Sequence, residues 1–279
     1  MDYATILVHL DAGRRVYDRL QLATQLALGF KSTMIGLLAV GKPDPTAVRY
    51  LVDGDRYLAS YNEWQHQVGE RARHALMGAT DEVDVVTEWQ APDWATAATV
   101  QAEAHRADLV ILGQHDPTDE AAYAEPGFVE SIVLQCGRPV LVVPYAGRFP
   151  SVGKNIMVAW NGSRESARAI RDALPLLQRA GTAAVVSWTP DGVLKGPWVS
   201  PPQYAVDWLA RHGVAAQLST FAAGDGDDVG QLLLSHAADR NTDLIVMGGY
   251  GHSRMHELVL GGVTRTLLES MTVPVMMSH

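Results

Sequence analysis

With 279 residues the chain has room for two domains of ordinary size, and 47% hydrophobic against 19% charged residues supplies a buried core. A net charge of −9 argues against a general nucleic-acid binder, and a single cysteine, Cys136, excludes an internal disulfide framework and fits a reducing cytoplasm. No apolar run approaches ~18 residues, so no membrane span is expected, and the opening Met1-Asp2-Tyr3-Ala4 lacks the basic flank of a secretory leader.

Short continuous apolar runs alternate with longer periodic stretches along the chain. Residues 6–10 predict a buried strand, and residues 15–28 a helix that stops at Gly29. A second strand is expected at 33–40. Residues 45–77 form a long polar helical stretch. Its aromatic residues, Tyr50, Tyr57, Tyr61 and Trp64, suit either a partner surface or a covered core face. A third strand is expected at 83–89 and a helix at 93–106 with Asp93 as N-cap. A strand at 109–112, a helix at 127–135 and a strand at 140–143 complete the first half. From residue 156 the order recurs. Strands are expected at 156–160, 183–188, 215–221, 244–247 and 275–278, and helices at 164–179, 202–212, 228–239 and 263–270.

The recurrence is visible in the residues themselves. Asp108-Leu109-Val110-Ile111-Leu112-Gly113 matches Asp243-Leu244-Ile245-Val246-Met247-Gly248, and residues 139–143 match 274–278, both at an offset of 135. The starts, residues 6–11 and 156–161, match at an offset of 150, so the second copy is shorter in its middle. A linker near 146–154, with Gly147, Pro150, Ser151 and Gly153, separates domains expected at 1–146 and 154–279. Buried strands alternating with helices predict an α/β fold of two tandem doubly wound, five-stranded, mainly parallel sheets flanked by helices. Ligands in such sheets lie beyond the carboxyl ends of the strands, where strand order reverses. The charge is uneven: residues 1–144 carry 11 Lys and Arg against 20 Asp and Glu, and residues 145–279 carry 11 of each.

The neutral half holds the most informative stretch, Gly248 to Thr264, between a buried strand and a helical pattern. Gly248, Gly249, Gly251, Gly261 and Gly262 let the backbone approach a ligand closely. Successive N–H groups and the positive end of the following helix then favour an anion, with phosphate the natural guest. The plainer alternative is a tight turn. A Walker loop is absent, and the dinucleotide fingerprint fails because Arg254 stands where its third glycine belongs.

The spacing resembles the loop of the universal stress protein family: Gly, two residues, Gly, nine residues, Gly, then Gly, Ser or Thr. Gly248, Gly251 and Gly261 fill the fixed places and Gly262 the fourth. Val158-Ala159-Trp160-Asn161-Gly162-Ser163 is similar to the family's first-strand run, close to Val-Ala-Val-Asp-Gly-Ser. The chain thus looks like two such domains in tandem. The resemblance implies an adenine-nucleotide-binding fold, with members that bind ATP and members that do not. It implies ATP as ligand, with AMP or ADP as alternatives and Mg2+ allowed beside it. Asn161 would meet the nucleoside, or serve only as a turn residue, and the backbone near Val185, Val186 and Ser187 would meet the adenine edge. Gly248, Gly249, Gly251, Gly261, Gly262 and Val263 would face the phosphates. Thr264 would add a hydroxyl or merely pack, and His252 and Arg254 would offset phosphate charge. The resemblance also implies pairing of fifth strands, here within one chain as an internal pseudo-dimer. A further homodimer and an unidentified protein partner are compatible with it.

The first copy departs from this pattern. Asp116 stands in place of the second glycine and Pro126 in place of the third, with Asp119, Glu120 and Glu125 between them. Carboxylates repel phosphate and proline has no N–H to offer, so this copy is expected not to bind a nucleoside triphosphate. Gly224 to Asp228 reads as a turn whose acids cap the next helix. No nucleophile elbow or zinc spacing is present. The function expected is nucleotide-dependent regulation in a cytosolic stress response. The alternatives are a scaffold of the same fold that binds no nucleotide, or a slow ATPase.

Overall fold

Ten apolar runs become strands, and all ten join a single sheet. The protein is described here by a computed structural model covering residues 2–44, 48, 53–119, 121–122, 125–190, 200–224, 226–249 and 261–279. The first half supplies β1 (Thr5–Leu10), β2 (Thr33–Leu38), β3 (Thr87–Gln90), β4 (Leu109–Gly113) and β5 (Val140–Val143). The second supplies β6 (Asn155–Ala159), β7 (Thr182–Pro190), β8 (Ala216–Ala223), β9 (Leu244–Gly248) and β10 (Val275–Ser278). Helices of the first half are α1 (Val16–Phe30), α2 (Gly54–Thr80), α3 (Ala97–Ala104) and α4 (Phe128–Gln135). Those of the second are α5 (Arg164–Asp172), α6 (Leu174–Leu177), α7 (Pro202–Arg211), α8 (Val229–Asp239) and α9 (Gly262–Ser270).

The sheet order is β3-β2-β1-β4-β5-β10-β9-β6-β7-β8. Each half therefore runs third, second, first, fourth, fifth, and strand order reverses between β1 and β4 and between β6 and β9. The register recurs too. Ile6 lies beside Leu109 as Ile156 lies beside Leu244, and Val110 beside Val140 as Ile245 beside Val275. Asp108 accepts from the amides of Ala4 and Thr5, and Asp243 from those of Gly153, Lys154 and Asn155. One aspartate thus pins the start of the first strand in each half.

The two five-stranded units expected in tandem meet edge to edge, as one continuous sheet. β5 and β10 pair antiparallel, with Met276 opposite Leu141, and every other pairing is parallel. Val140 to Val143 and Val275 to Ser278 are buried, so each strand would expose an apolar edge without the other. One core cluster lies on each face, and both clusters draw residues from both halves. Fully burying a side chain such as Leu141 or Met276 contributes about 2 kcal/mol.

Several boundaries shift for local reasons. Helix α3 begins at Ala97, not near Asp93, because Thr96 and Thr99 form a capping box. The helix expected at 164–179 divides into α5 and α6, with Pro175 in the first turn of α6. Strand β3 is shorter than expected, and β7 runs on to Pro190. Helix α2 starts after Asp53, whose side chain accepts from the Arg56 amide; Tyr50 lies outside the described residues. Asp228 caps α8 through the amides of Gly230 and Gln231, as the acids before that helix suggest. Cys136 is buried at the end of α4, where burial pushes its thiol up. Among the described residues, no helix is long and apolar enough to cross a membrane.

Candidate functional site

In the second half, the switch point lies beyond the ends of β6 and β9. Gly248 ends β9 against the start of α5. A Cβ there would stand 2.6 Å from the Glu165 carbonyl carbon and the Ser166 nitrogen, so only glycine lets helix and strand come this close. The Gly249 amide donates to the Ser278 carbonyl at 2.9 Å and continues the ladder. It is therefore engaged within the sheet. Gly251, His252 and Arg254 lie outside the described residues.

Helix α9 opens differently. Gly261 is its N-cap, with φ −61° and ψ 140°, and among the described residues no side chain caps the first turn. Gly261 and Gly262 are exposed, and a Cβ on either would meet no described atom within 4 Å. Among the described residues, none covers the amino end of the helix, with its leading amides and positive dipole. Val263 is half-buried beside it. Thr264 is 3% exposed, so its side chain packs inward.

The remaining expected residues have other duties. Asn161 is exposed, and its Oδ1 accepts from the Ser163 amide at 3.1 Å, an Asx turn leading into α5. Ser163 then caps α5 through the Ser166 amide. Val185 and Val186 are buried inside the ladder, and the Val186 carbonyl accepts from the Trp160 amide. Because β6 pairs only as far as Val186, the part of β7 that overhangs the switch point is Ser187 to Pro190. The Ser187 and Thr189 hydroxyls there are buried with no hydrogen-bond partner among the described residues, a feature the apolar run did not signal. Trp160, in place of a smaller residue, is buried on the same strand row and donates its indole N–H to the Ser200 carbonyl at 2.9 Å.

The first half has a cavity of about 360 Å3 at its own switch point, lined by His9, Asp11, Arg19, Gly113 and the residues around Asp116 and Phe128. Its loops do more than repel anions. Asp11 accepts from the Gly13 amide, Asp116 from the Thr118 amide, and Asp119 from the amides of both Arg14 and Ala121. The protein's own carboxylates occupy the N–H groups that would cradle a phosphate. Arg14 closes the arrangement with a 2.8 Å ion pair to Asp116. Burial pushes the Asp116 carboxyl up, but hydrogen bonds from Thr118 and Arg14 outweigh it and hold the pKa at about 2.

Deeper in, Arg19 donates from Nη2 to Asp11 at 3.2 Å, with both side chains buried. Burial raises the Asp11 pKa, yet the Arg19 guanidinium, His9 and the Gly13 amide together bring it below the usual carboxylate range. Burial pushes His9 down to about 4, against the opposing pull of Asp11. The ring is thus neutral at pH 7, and its Nε2, 2.9 Å from the Ala39 carbonyl, carries the proton.

The universal stress protein family model matches residues 153–279. A universal stress protein of a Synechocystis strain, Slr1230, is 28% identical over 178 residues, covering 61% of this chain. The chain matches only 57% of that relative's length. A universal stress protein from Archaeoglobus fulgidus superposes over 99% of this chain and 98% of its own, with TM-score 0.73 and 14% identity. A protein of unknown function from Pseudomonas aeruginosa superposes over 99% of this chain and 92% of its own, with TM-score 0.58 and 15% identity. At these identities the superpositions speak for the fold. The matched model places a universal stress protein domain at residues 153–279, and the superposition shows a shared fold across both halves.

Proposed function

We propose that residues 154–279 hold an adenine nucleotide, foremost ATP, and that the protein acts as a nucleotide-dependent regulator in a stress response. The observation that carries this reading is the amino end of α9 at Gly261 and Gly262, which no described side chain caps, in the segment that follows β9 at the switch point. Ser187 and Thr189 add two buried, unmatched hydroxyls on the strand that would border the base. Asn161 retains its amide nitrogen for the ribose or base. Gly251, His252 and Arg254 would complete the phosphate contacts, with Mg2+ beside them. The chain is on this view a tandem of two such domains, 1–146 and 154–279, joined as an internal pseudo-dimer, and the recurring strand order and register support it. A buried free thiol suits a cytosolic setting.

The binding couples to function by population shift: a nucleotide that prefers one arrangement of the loop after β9 biases that arrangement toward a partner. Mass spectrometry of small molecules released on denaturing a tag-free preparation tests the reading. ATP, ADP or AMP near one per chain is expected. A preparation that releases none, and that takes up no ATP when it is added, supports the other reading. There the protein is a scaffold, consistent with the engaged Gly249 amide and the in-ladder Val185 and Val186.

A further inference from the structure

The cavity of the first half contains a donor that the protein leaves unmatched. Arg19 is only 4% exposed, and among the described residues its guanidinium makes one hydrogen bond, from Nη2 to Asp11. Its Nε is enclosed with no acceptor among them. Its Nη1 lies over Gly113, another residue of the cavity lining, in the space a side chain at that position would fill. A guanidinium carries five N–H groups in a planar fork, and burying them unmatched is costly. The cavity therefore asks for an acceptor on the Arg19 side.

What accompanies that acceptor is set by the rest of the lining. Glu130 and Glu125 give the mouth an acidic rim, Asp18 there being ion-paired with Arg15 and Glu125 also accepting from the Ala97 amide, while Phe128, Val129 and Val143 give it an apolar wall. A polyphosphate is opposed twice: by the rim, and by the engagement of the Gly13, Arg14, Thr118 and Ala121 amides with Asp11, Asp116 and Asp119. A simple cation leaves Arg19 unmatched, and a simple anion faces the rim. A volume of about 360 Å3 suits a small molecule.

We propose that this cavity binds a zwitterion of amino-acid size, its carboxylate on the buried Arg19, its ammonium toward the acidic rim and its side chain against the Phe128 wall. The proposal is independent of nucleotide binding in the second half. It gives the first half a ligand of its own, so that two unlike small molecules would report to one sheet.

Thermal-shift screening of the intact protein with the standard L-amino acids, followed by calorimetry, tests it. Each amino acid is compared with the amine and the acid that lack one charge, for example valine with isobutylamine and isovalerate. At least one amino acid is expected to raise the Tm by a few degrees at saturation, with little effect from its singly charged counterparts. Replacing the buried pair together, Asp11→Asn with Arg19→Gln, is expected to weaken that binding roughly 10- to 100-fold. Should the double variant not fold, Glu130→Lys at the rim is expected to weaken it about tenfold. Excess ATP should leave the amino-acid affinity unchanged. The proposal is overturned if no amino acid binds, if a singly charged counterpart binds as well, if a folded variant keeps full affinity, or if ATP competes.

Discussion

His9 sits in β1 with its ring against Phe128 and its Nε2 on the Ala39 carbonyl, and its titration follows from that burial. Its folded pKa of about 4 lies below the ordinary histidine value, so the unfolded chain binds more protons between about pH 6.5 and 4. Stability is full above that window and falls as pH drops through it, by at most ~1.4 kcal/mol per pH unit from this residue alone. Denaturant titrations at pH 7 and pH 5 should show the loss, and His9→Gln should flatten it; an unchanged slope in the variant would assign the acid sensitivity elsewhere. Asp116 adds a second window lower down, lost as pH falls from about 4 toward 2. At this scale the sequence was half legible. Asp116 in place of one loop glycine, with Asp119 nearby, led to the expectation that the first half does not take a phosphate. That these carboxylates accept from the loop's own amides was not legible, because Arg14 lies 102 residues from Asp116 and no local spacing links them. Arg19 was hidden for a related reason: a helix-face arginine is ordinarily solvated, and only the missing Cβ of Gly113 makes room for it inside.

Elements obeyed the apolar period closely, and their ends obeyed capping chemistry. The strand cores at 6–10, 109–112, 140–143 and 244–247 fell inside β1, β4, β5 and β9, since parallel strands buried on both faces need continuous apolar runs. The helix expected from Asp93 starts instead at Ala97, after Thr96. The bond that the Thr96 amide donates to the Thr99 hydroxyl fixes the cap there. Thr96→Ala should therefore destabilise the protein by about 1 kcal/mol, read as a lower urea midpoint, whereas Asp93→Ala should change it little. Equal effects would contradict this assignment of the cap. The overhang of β7 matters more for function. Val185 and Val186 lie within the β6–β7 ladder, and beyond them the strand carries Ser187, the last of the residues expected near the adenine edge, and Thr189.

The whole molecule is one sheet because two terminal apolar strands meet. The repeats at 139–143 and 274–278 pointed to that pairing, but not to cores shared across both halves. Sequence periodicity reports which face of a strand is buried and is silent about which copy buries it. Within this single sheet the two switch points have diverged: at one, carboxylates accept from the loop amides; at the other, a helix starts at two glycines with no cap among the described side chains. An ATP titration of nucleotide-free protein, with stoichiometry read by calorimetry, tests that division most directly. One site per chain is predicted, abolished by Gly262→Asp, which places a carboxylate at the start of α9, and untouched by Asp119→Asn in the first half. Two sites, none, or a single site indifferent to Gly262→Asp would contradict it.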